Sequence, residues 1–361
     1  MTGRVRVGVV GTTRYAETHL RNLASHPAVE LTAIAGRDAA KAAAVAERWG
    51  IPRVFADHTE LVDSGLLDAI VIVAPDELHA PIALAAAARG VHVLCEKPLA
   101  TNAAEAAAMR DAVDAAGVVN MSFFALRTPV HHRYLKALVD DGFVGRVTSA
   151  RLHLEHGFFR GDDYQWRFDA RRGTGALGDL GCYVFDQARW LVGDVAAIAV
   201  DLASNVDRPA PDGVDYPAAN DSAVGMLRFA DGAHATFSTS VIAHQAEGKQ
   251  TNTILLNGSE GTLELVHTFA GARLRGARGS DETFREIEIP AEFWGDVDPG
   301  DPGAAGQRHA VGDRAFVDAI LSGERGTLHP DFTDGWRVQQ IIDAAFVAAE
   351  TGRWATIGDD A

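Results

Sequence analysis

Short apolar runs alternate with amphipathic or alanine-rich stretches through the first third of the chain. The apolar runs lie at residues 5–11, 29–36 and 67–75 and at the start of the segment 91–98, and the stretches of helical character lie at 15–25, 39–49, 78–89 and 103–116. The run at 67–75 is almost continuously hydrophobic, which is typical of a strand buried on both faces of a parallel sheet. This alternating order predicts a doubly wound parallel sheet.

The pattern changes after residue 124, where strand-like segments follow one another along the chain. Asp231 and Gly232 lie between two apolar runs, an arrangement typical of a hairpin turn. Helices are predicted at about residues 182–191 and 333–351. A chain of 361 residues is long enough for two domains. We therefore expect a doubly wound domain at residues 1–121 and a second, mainly antiparallel α/β domain at residues 122–361.

Composition excludes several classes of protein. The net charge of −16 argues against a nucleic-acid-binding surface, which would need a basic patch. The apolar runs are too short for a membrane-spanning helix. The N-terminal residues do not resemble a signal peptide, and the chain has only Cys95 and Cys182, so a disulfide framework is not expected. Cys95 is expected to be buried at the end of a strand. These features predict a cytoplasmic protein.

The turn between the first strand and the first helix is a candidate phosphate cradle. Its sequence contains one of the three glycines of the dinucleotide fingerprint G-x-G-x-x-G and reads Gly11, Thr12, Thr13, Arg14, Tyr15 and Ala16. Ala16 is a mild change, whereas Thr13 adds a Cβ where the backbone approaches a pyrophosphate. The Thr13 hydroxyl and the Arg14 charge can instead bind phosphate oxygens. The turn is interpreted as a nucleotide site, with an ordinary strand–helix turn as the alternative.

The residues that end the second strand bear on the choice of cofactor. NAD sites place an acid there for the ribose 2′-hydroxyl, whereas NADP sites accept an arginine beside the 2′-phosphate. Here Arg37 follows the strand, and Asp38 is interpreted as a helix N-cap. We therefore expect NADP(H) to be favoured and NAD(H) to be possible. The alternative is that Arg37 is a solvated surface side chain.

Lys97 follows the apolar run at 91–95 and precedes Pro98, which has no backbone N–H to donate to a sheet. The Lys97–Pro98 peptide bond can be cis. Ligands of doubly wound sheets bind at the carboxyl ends of the strands, and the order of the apolar runs puts Lys97 after the fourth strand. Lys97 is therefore a candidate catalytic residue, with a surface lysine beside a turn as the alternative.

A glycine-rich segment at residues 173–181 leads into the helix at 182–191. It presents Asp179 and Tyr183, whose spacing of four residues puts them on one helical face. The pKa of a free tyrosine is about 10, and a neighbouring ammonium group lowers it. Lys97 beside Tyr183 would form a general acid/base pair for interconversion of a hydroxyl and a carbonyl. A packed aromatic is the alternative for Tyr183, and Asp186 is expected to be structural.

His153, Glu155 and His156 form the densest group of potential metal ligands. In a strand, His153 and Glu155 share one face and His156 lies on the other. A metal site needs at least three converging ligands, so no metal is expected. Contact with substrate is the favoured role for one of these residues. Arg127 either reaches the substrate or pairs with an acid.

Five segments of the chain resemble the glucose–fructose oxidoreductase / inositol dehydrogenase / MocA family of nicotinamide-dependent oxidoreductases. They are distributed between about residues 4 and 357, nearly the whole length of the chain, and read VRVGVVGTTRYAETHL, VIVAPDELHAPIALAAAARGVHVLCEKPLA, DGFVGRVTSARL, WRFDARRGTGALGDLGCYVFDQARWLVGD and HPDFTDGWRVQQIIDAAFVAAETGRWATI. The resemblance implies a Rossmann domain followed by an α/β domain with a large open sheet that forms homodimers or homotetramers. The departures are Thr13 and Ala16, which replace glycines of the phosphate turn.

The resemblance also assigns roles to individual residues. It implies that Lys97 is catalytic, that Asp179 lies on the substrate side, and that Tyr183 occupies a position held by His or Tyr in the family. The cofactor-binding residues expected from the phosphate turn, the second strand and the resemblance together are Gly11, Thr12, Thr13, Arg14, Tyr15, Arg37, Ala74, Pro75, His79, Glu96, Lys97, Trp166 and Arg167.

These observations lead to the hypothesis of a nicotinamide-dependent oxidoreductase that interconverts hydroxyl and carbonyl groups on a sugar, a polyol or a related small molecule by hydride transfer. Lys97 and Tyr183 together favour an enzyme over a non-catalytic nucleotide-binding sensor of the same fold. A glycosidase that uses tightly held NAD is a second alternative, and Arg37 argues against it. No nucleic acid and no membrane are expected among the partners.

Overall fold

The computed structural model describes residues 3–210, 213–245, 249–295, 298–300, 312–324, 326 and 328–358. Contacts divide the chain into two compact units, each described by itself below. The first unit comprises Met1–Ala125 and Gly303–Arg337, and the second comprises Leu126–Pro302 and Val338–Ala361. Residues 303–337 are thus grouped with the first unit. The boundary between residues 121 and 122 stays a prediction.

A parallel sheet forms the centre of the first unit. Its strands in the described residues are β1 (Val5–Val10), β2 (Val29–Ala35), β3 (Arg53–Phe55), β4 (Ala69–Ile72), β5 (His92–Glu96) and β6 (Asn120–Phe123). They lie side by side in the order β3-β2-β1-β4-β5-β6, and every neighbouring pair is parallel. This order confirms the predicted doubly wound sheet, with a change of direction between β1 and β4.

One detail of the predicted strand count was wrong. Lys97 follows the fifth strand along the chain, not the fourth, because β3 was missed. β3 has three residues, and its Arg53 and Val54 are exposed, so no apolar run marks it. The position of Lys97 at the carboxyl end of a strand is unaffected.

Helices connect these strands and cover both faces of the sheet. They are α1 (Arg14–Ala24), α2 (Ala39–Trp49), α3 (His58–Asp63), α4 (His79–Ala88) and α5 (Ala103–Ala116). The predicted cap is present, since the Asp38 carboxylate accepts the Lys41 backbone N–H at the start of α2. Gly117 ends α5 in a left-handed conformation, as expected of a glycine after a helix.

A mixed sheet forms the centre of the second unit. Its strands are β7 (Val147–His156), β8 (Val195–Ala203), β9 (Ser222–Phe229), β10 (His234–Ser240), β11 (Gln250–Gly258), β12 (Gly261–Thr268), β13 (Gly271–Arg278), β14 (Arg285–Glu286) and β15 (Ala355–Thr356). In the described residues their order is β14-β13-β12-β11-β7-β10-β9-β8-β15. Neighbours are antiparallel except β7 and β10, which are parallel. The expectation of a mainly antiparallel sheet is confirmed.

Successive side chains along these strands point to opposite faces of the sheet, and one face is buried while the other is more exposed. A row of apolar residues in register crosses the buried face and consists of Phe237, Leu152, Ile254, Leu265 and Leu274. The helices described in this part of the chain are α6 (Val130–Asp140), α7 (Cys182–Leu191) and α8 (Ala291–Trp294). Phe185 of α7 packs edge-on against Phe237 of β10. On the opposite face, Val224 and Met226 of β9 are exposed.

Two C-terminal helices complete the described secondary structure, α9 (Asp313–Ser322) and α10 (Phe332–Thr351). Phe316 and Ile320 of α9 enter one core of the first unit, and Phe332 of α10 enters another. No helix among the described residues is long and apolar enough to cross a membrane. Cys95 and Cys182 are both buried free thiols.

Candidate active site

A cleft of about 440 Å³ lies at the carboxyl edge of the parallel sheet in the first unit. Residues that follow β1, β2, β3 and β4 line it, as expected at the point where a doubly wound sheet changes direction. The predicted cofactor-binding residues that line it are Gly11, Thr12, Thr13, Arg37, Ala74 and Pro75. The predicted phosphate turn and the residues after β2 that were used to predict the cofactor therefore line the same cavity.

The floor of this cleft requires a glycine. Gly11 has φ +120°, and a Cβ there would lie 2.1 Å from the Val73 carbonyl oxygen. The missing side chain lets this turn pack closely against the residue that follows β4. Thr13 is the N-cap of α1, where its hydroxyl accepts the Ala16 N–H at 3.5 Å. Helix N-termini bind phosphate through free backbone N–H groups, so the start of α1 fits a pyrophosphate.

Arg14 and Tyr15 lie beside the cleft in the chain but do not line it in the described structure. They are the first residues of α1 and are exposed, with 57% of the Tyr15 surface accessible. Ala16, the next residue of the same turn, is instead buried, so Arg14 and Tyr15 lie on the solvent side of α1. Their predicted contact with cofactor stays a prediction.

Three basic side chains surround the part of the cleft that follows β2 and β3. Arg37 was expected there, and the structure adds Lys41 and His58. The acids of this region are engaged as helix caps. Asp38 Oδ1 accepts the Lys41 N–H at 3.0 Å, and Asp57 Oδ1 accepts the Thr59 N–H at 2.6 Å.

The pKa of each capping carboxyl lies below its ordinary value because of these hydrogen bonds. Both acids are therefore ionised and held by helix termini. Lys41 was missed because only Arg37 and Asp38 were considered at the end of the second strand. Its position one turn after the Asp38 cap is the signal that would have identified it.

His79 joins two loops of the first unit and is 1% exposed. Its Nδ1 is 2.9 Å from the Pro98 carbonyl oxygen, and its Nε2 is 2.9 Å from the Ala74 carbonyl oxygen. It ties the turn after β4 to the segment after β5. The structure thus gives His79 a connecting role between predicted site residues.

Lys97 is half-buried directly after β5, and its bond to Pro98 is cis. Its backbone N–H donates to Glu96 Oε2 at 3.1 Å. Burial by itself would raise the pKa of the Glu96 carboxyl. A hydrogen bond from His19 and the charges of His19 and Lys97 outweigh burial, so the Glu96 pKa is lowered. A carboxylate thus adjoins the predicted catalytic lysine.

The second unit brings Trp166, Arg167 and Asp179 together. Trp166–Phe168 is a single 3₁₀ turn, and the Arg167 guanidinium lies 4.5 Å from the centre of the Trp166 ring. Arg167 Nε is 3.8 Å from Asp179 Oδ1. Stacking and ionic attraction therefore orient Arg167 toward the predicted substrate-side acid.

Asp179 lies in a π turn, Leu177–Gly181, that runs directly into α7, and Tyr183 is the second residue of α7. π turns are rare in proteins, and those that occur often lie at functional sites. Both side chains are partly exposed, so they are accessible to a ligand. The predicted helical segment at 182–191 is confirmed, whereas the π turn was not predicted.

Asn220 holds the start of this π turn and was missed in the sequence. Its Oδ1 accepts the Leu177 N–H at 2.8 Å, and its Nδ2 donates to the Thr174 carbonyl at 3.1 Å. Gly175 between them has φ +67°, and a Cβ there would lie 2.2 Å from the Asn220 carbonyl oxygen. Asn220 is 43 residues from its partner, so no local pattern indicates it.

Asp186 and Arg127 form a buried ion pair in the second unit. Arg127 donates from Nε at 3.0 Å and from Nη2 at 2.6 Å to the two Asp186 oxygens. Asp186 is 1% exposed. This bidentate pair supports the structural role expected for Asp186 and the acid-pairing alternative for Arg127.

His153 and Glu155 share one face of β7, as predicted, and both are within 2.9 Å of the Ser238 hydroxyl. His156 is buried.

Elsewhere, in the first unit, His329, Asp331 and Asp334 present ligand atoms close enough for a metal ion. They also bond to one another at the start of α10, where Asp331 Oδ1 accepts the Asp334 N–H. This arrangement is that of a helix cap.

Lys97 belongs to the first unit and Tyr183 to the second. The structure therefore describes the surroundings of Lys97 and of Tyr183 separately, each within its own unit. The pairing of Lys97 with Tyr183 stays a prediction.

Comparison with known proteins covers both units. The family described as "Oxidoreductase family, NAD-binding Rossmann fold" matches residues 5–124, and the GFO/IDH/MocA C-terminal domain matches residues 132–264. A levoglucosan dehydrogenase of Pseudarthrobacter phenanthrenivorans is 30% identical, over 88% of this chain and 86% of its own length. A D-xylose 1-dehydrogenase (NADP(+)) of Haloferax volcanii is 32% identical, over 90% of each chain.

A solved structure of levoglucosan dehydrogenase in complex with NADH and levoglucosan has the same fold. Its TM-score is 0.87 at 27% identity, and the alignment covers 98% of this chain and 99% of that one.

Proposed function

The chain belongs to the GFO/IDH/MocA family of nicotinamide-dependent oxidoreductases, and we propose that Lys97, Asp179 and Tyr183 carry its reaction. The enzyme interconverts hydroxyl and carbonyl groups of a sugar or polyol by hydride transfer. The observation that carries the proposal is the cleft beside Gly11, which lies at the same sheet edge as Lys97. A cofactor site and a candidate acid–base residue thus follow neighbouring strands, β4 and β5.

The residues of the cleft fit a nicotinamide dinucleotide. The start of α1, with its free backbone N–H groups, suits the pyrophosphate. Arg37, Lys41 and His58 suit an additional phosphate on the adenosine ribose, and Asp38 and Asp57 are engaged as caps. NADP(H) is therefore the preferred cofactor and NAD(H) the weaker one. The names of the relatives include one NADP(+) enzyme and one complex with NADH.

The chemistry divides between cofactor and protein. A bound nicotinamide supplies or accepts the hydride. The Lys97 ammonium group bonds the substrate oxygen and lowers the pKa of the Tyr183 phenol. When the substrate is oxidised, the Tyr183 phenolate would accept its hydroxyl proton. When the substrate is reduced, the Tyr183 phenol would return a proton to the carbonyl oxygen. General acid–base help of this kind contributes about 10²–10⁴ in rate.

Asp179 positions the substrate on the side of the second unit. Its carboxylate lies near Arg167, and the π turn is anchored by Asn220. A carboxylate accepts hydrogen bonds from sugar hydroxyls, which gives one face of the substrate a fixed orientation. Trp166 adds an aromatic surface beside Arg167.

The test is a screen of sugars, polyols and keto-sugars with NADP(H) and NAD(H), read by nicotinamide absorbance. We expect turnover of at least one sugar or polyol, lost in Lys97→Met and in Tyr183→Phe. Tight binding of NADPH without turnover of any substrate in the screen would contradict the proposal and favour a non-catalytic binding protein. Retained turnover in Lys97→Met would remove Lys97 from the mechanism.

We also propose that the enzyme works in the cytoplasm as a homodimer or homotetramer. The exposed face of β9 carries Val224 and Met226, which are 57% and 48% exposed. Adjacent apolar side chains on one strand face are typical of an association surface. Light scattering should give at least twice the mass of one chain, and Met226→Asp should shift it toward one chain. A monomeric wild-type protein would contradict this proposal.

A further inference from the structure

A buried chain of charged groups connects Glu96 to the C-terminal part of the first unit. His19 of α1 is 1% exposed. Its Nε2 lies 3.1 Å from Glu96 Oε1, and its Nδ1 lies 2.5 Å from Asp313 Oδ1. Asn22 donates to the other Asp313 oxygen at 2.8 Å. Both ring nitrogens of one histidine therefore face carboxylate oxygens.

Hydrogen-bond chemistry limits the state of this ring. A neutral imidazole has one N–H and can donate to one carboxylate only, whereas an imidazolium donates to both. Burial opposes the charge, but the charges of Asp313 and Glu96 and their hydrogen bonds raise the pKa of His19 to about 10. Near neutral pH the ring is thus a buried cation between two anions.

The arrangement ends at the predicted catalytic lysine. Glu96 Oε2 accepts the Lys97 N–H, so the same carboxylate contacts His19 through one oxygen and Lys97 through the other. The Lys97 charge also contributes to the lowered pKa of Glu96. Without His19, the Glu96 carboxylate would face Lys97 with its charge uncompensated.

We propose that His19 is a positioning residue that, as an imidazolium held by Asp313, fixes Glu96 against the Lys97 backbone and compensates the Glu96 charge beside the Lys97 ammonium group. This inference rests on the proposed function of Lys97. Asp313 acts together with His19, because the Asp313 carboxylate bonds the ring nitrogen on the side opposite Glu96. The consequence is that Lys97 releases its proton more readily than it would beside an uncompensated carboxylate.

A structural role alone would predict a different result from the same variants. His26 provides the matched control, because its Nε2 contacts Asp318 Oδ1 at 3.0 Å and Asp318 also belongs to α9. Both His19 and His26 thus bond an α9 carboxylate, but only the His19 pair connects to Glu96 in the described structure. Loss of either pair weakens the attachment of α9, whereas only loss of His19 changes the charge near Lys97.

The experiment measures the pKa of Lys97 without turnover. The chain has four lysines, Lys41, Lys97, Lys136 and Lys249. Reductive ¹³C-methylation followed by NMR gives a titration curve for each, and Lys97→Arg identifies the Lys97 signal. A unit charge about 10 Å away changes a pKa by about one unit at an effective dielectric constant of about 20. Glu96 is ionised throughout the range in which lysine titrates.

We expect the pKa of Lys97 to rise by about one unit in His19→Gln and to stay unchanged in His26→Gln. In Asp313→Asn the His19 ring loses the carboxylate that stabilises its charge and becomes neutral where lysine titrates. Loss of the Asp313 charge offsets part of that change, so the rise should be smaller, and this variant serves if His19→Gln fails to fold. An unchanged Lys97 pKa in a folded His19→Gln or Asp313→Asn protein would overturn the proposal. Because no substrate is needed, a failed substrate screen would refute the proposed function and leave this result interpretable.

Discussion

His19 in the first unit and His132 in the second are both excluded from solvent, at 1% and 0% exposure. Their protonation states differ because their partners differ. His19 lies between two carboxylates, and its pKa is raised to about 10. His132 is desolvated beside His267, with Asn252 as its hydrogen-bond partner at 2.8 Å, and its pKa is lowered to about 3. Equal burial thus yields a cation in one unit and a neutral ring in the other.

The difference extends to the surroundings of each ring. His19 bonds two carboxylates, and one of them, Glu96, leads to Lys97. His132 bonds the amide of Asn252, which in turn bonds Gln187 between α7 and β11. We infer that buried charge in the first unit serves the reaction, whereas the buried polar groups around His132 connect helices to the sheet. Each prediction below tests that contrast.

The largest effect is expected from Lys97→Met, which removes the ammonium group and keeps a side chain of similar length. We expect kcat to fall by at least about 10³-fold, because both substrate bonding and activation of Tyr183 are lost. Thermal unfolding should be unchanged within about 0.5 kcal/mol, as for a partly exposed residue. Lys136→Met, on α6, is the control and should keep full activity.

His19 should make the protein less stable in alkali. Its pKa is raised on folding, so its contribution is complete below about pH 6.5 and is lost as the pH rises through about 10. We expect the free energy of unfolding, measured with urea, to fall by about 2 kcal/mol between pH 7 and pH 9 on this account. The decline should be shallower in His19→Gln, and an equal decline in both proteins would refute the assignment.

His132 should make the protein less stable in acid. Its pKa is lowered on folding. Between about pH 6.5 and pH 3, His132 is therefore protonated in the unfolded chain but neutral in the folded protein. The free energy of unfolding should fall by about 2 kcal/mol between pH 7 and pH 5 through this group. His132→Gln should remove that part of the decline, while the exposed His234→Gln should not. The same slope in all three proteins would contradict the neutral state of His132.

A smaller effect is expected from Arg37→Ala, which tests cofactor choice. The Kd for NADPH should rise about tenfold, because one charge-assisted contact to the 2′-phosphate is worth about 1.4 kcal/mol. The Kd for NADH should hardly change. Arg53→Ala, an exposed residue of β3 outside the cleft lining, is the control in the same fluorescence titration. Tighter binding of NADH than NADPH by the wild-type protein would refute the preference.

The first unit could be predicted from sequence in most respects because its signals are local. Apolar runs and caps such as Asp38 mark its elements, and Lys97 follows a strand directly. β3 escaped prediction because three residues with two exposed side chains carry no periodic pattern. His19 escaped it because its partners are 77 and 294 residues away.

The second unit was predictable as a class of sheet but not as a site. The succession of strand-like segments predicted a mainly antiparallel sheet, and the spacing of Asp179 and Tyr183 made them candidate site residues. The π turn that carries Asp179 depends on Asn220, which lies on another segment and has no pattern of its own. Long-range hydrogen bonds of this kind are not encoded in neighbouring residues, so they appear only in the folded chain.

The central proposal is that the Lys97 ammonium group lowers the pKa of the Tyr183 phenol. The most direct measurement is the ultraviolet absorbance titration of tyrosinate, taken as wild type minus Tyr183→Phe, and repeated in a Lys97→Met background. We predict that Tyr183 titrates at least about one pH unit below the ordinary value of about 10, and that it returns to that value when Lys97 is replaced. A Tyr183 pKa that is the same with and without Lys97 would contradict the claim.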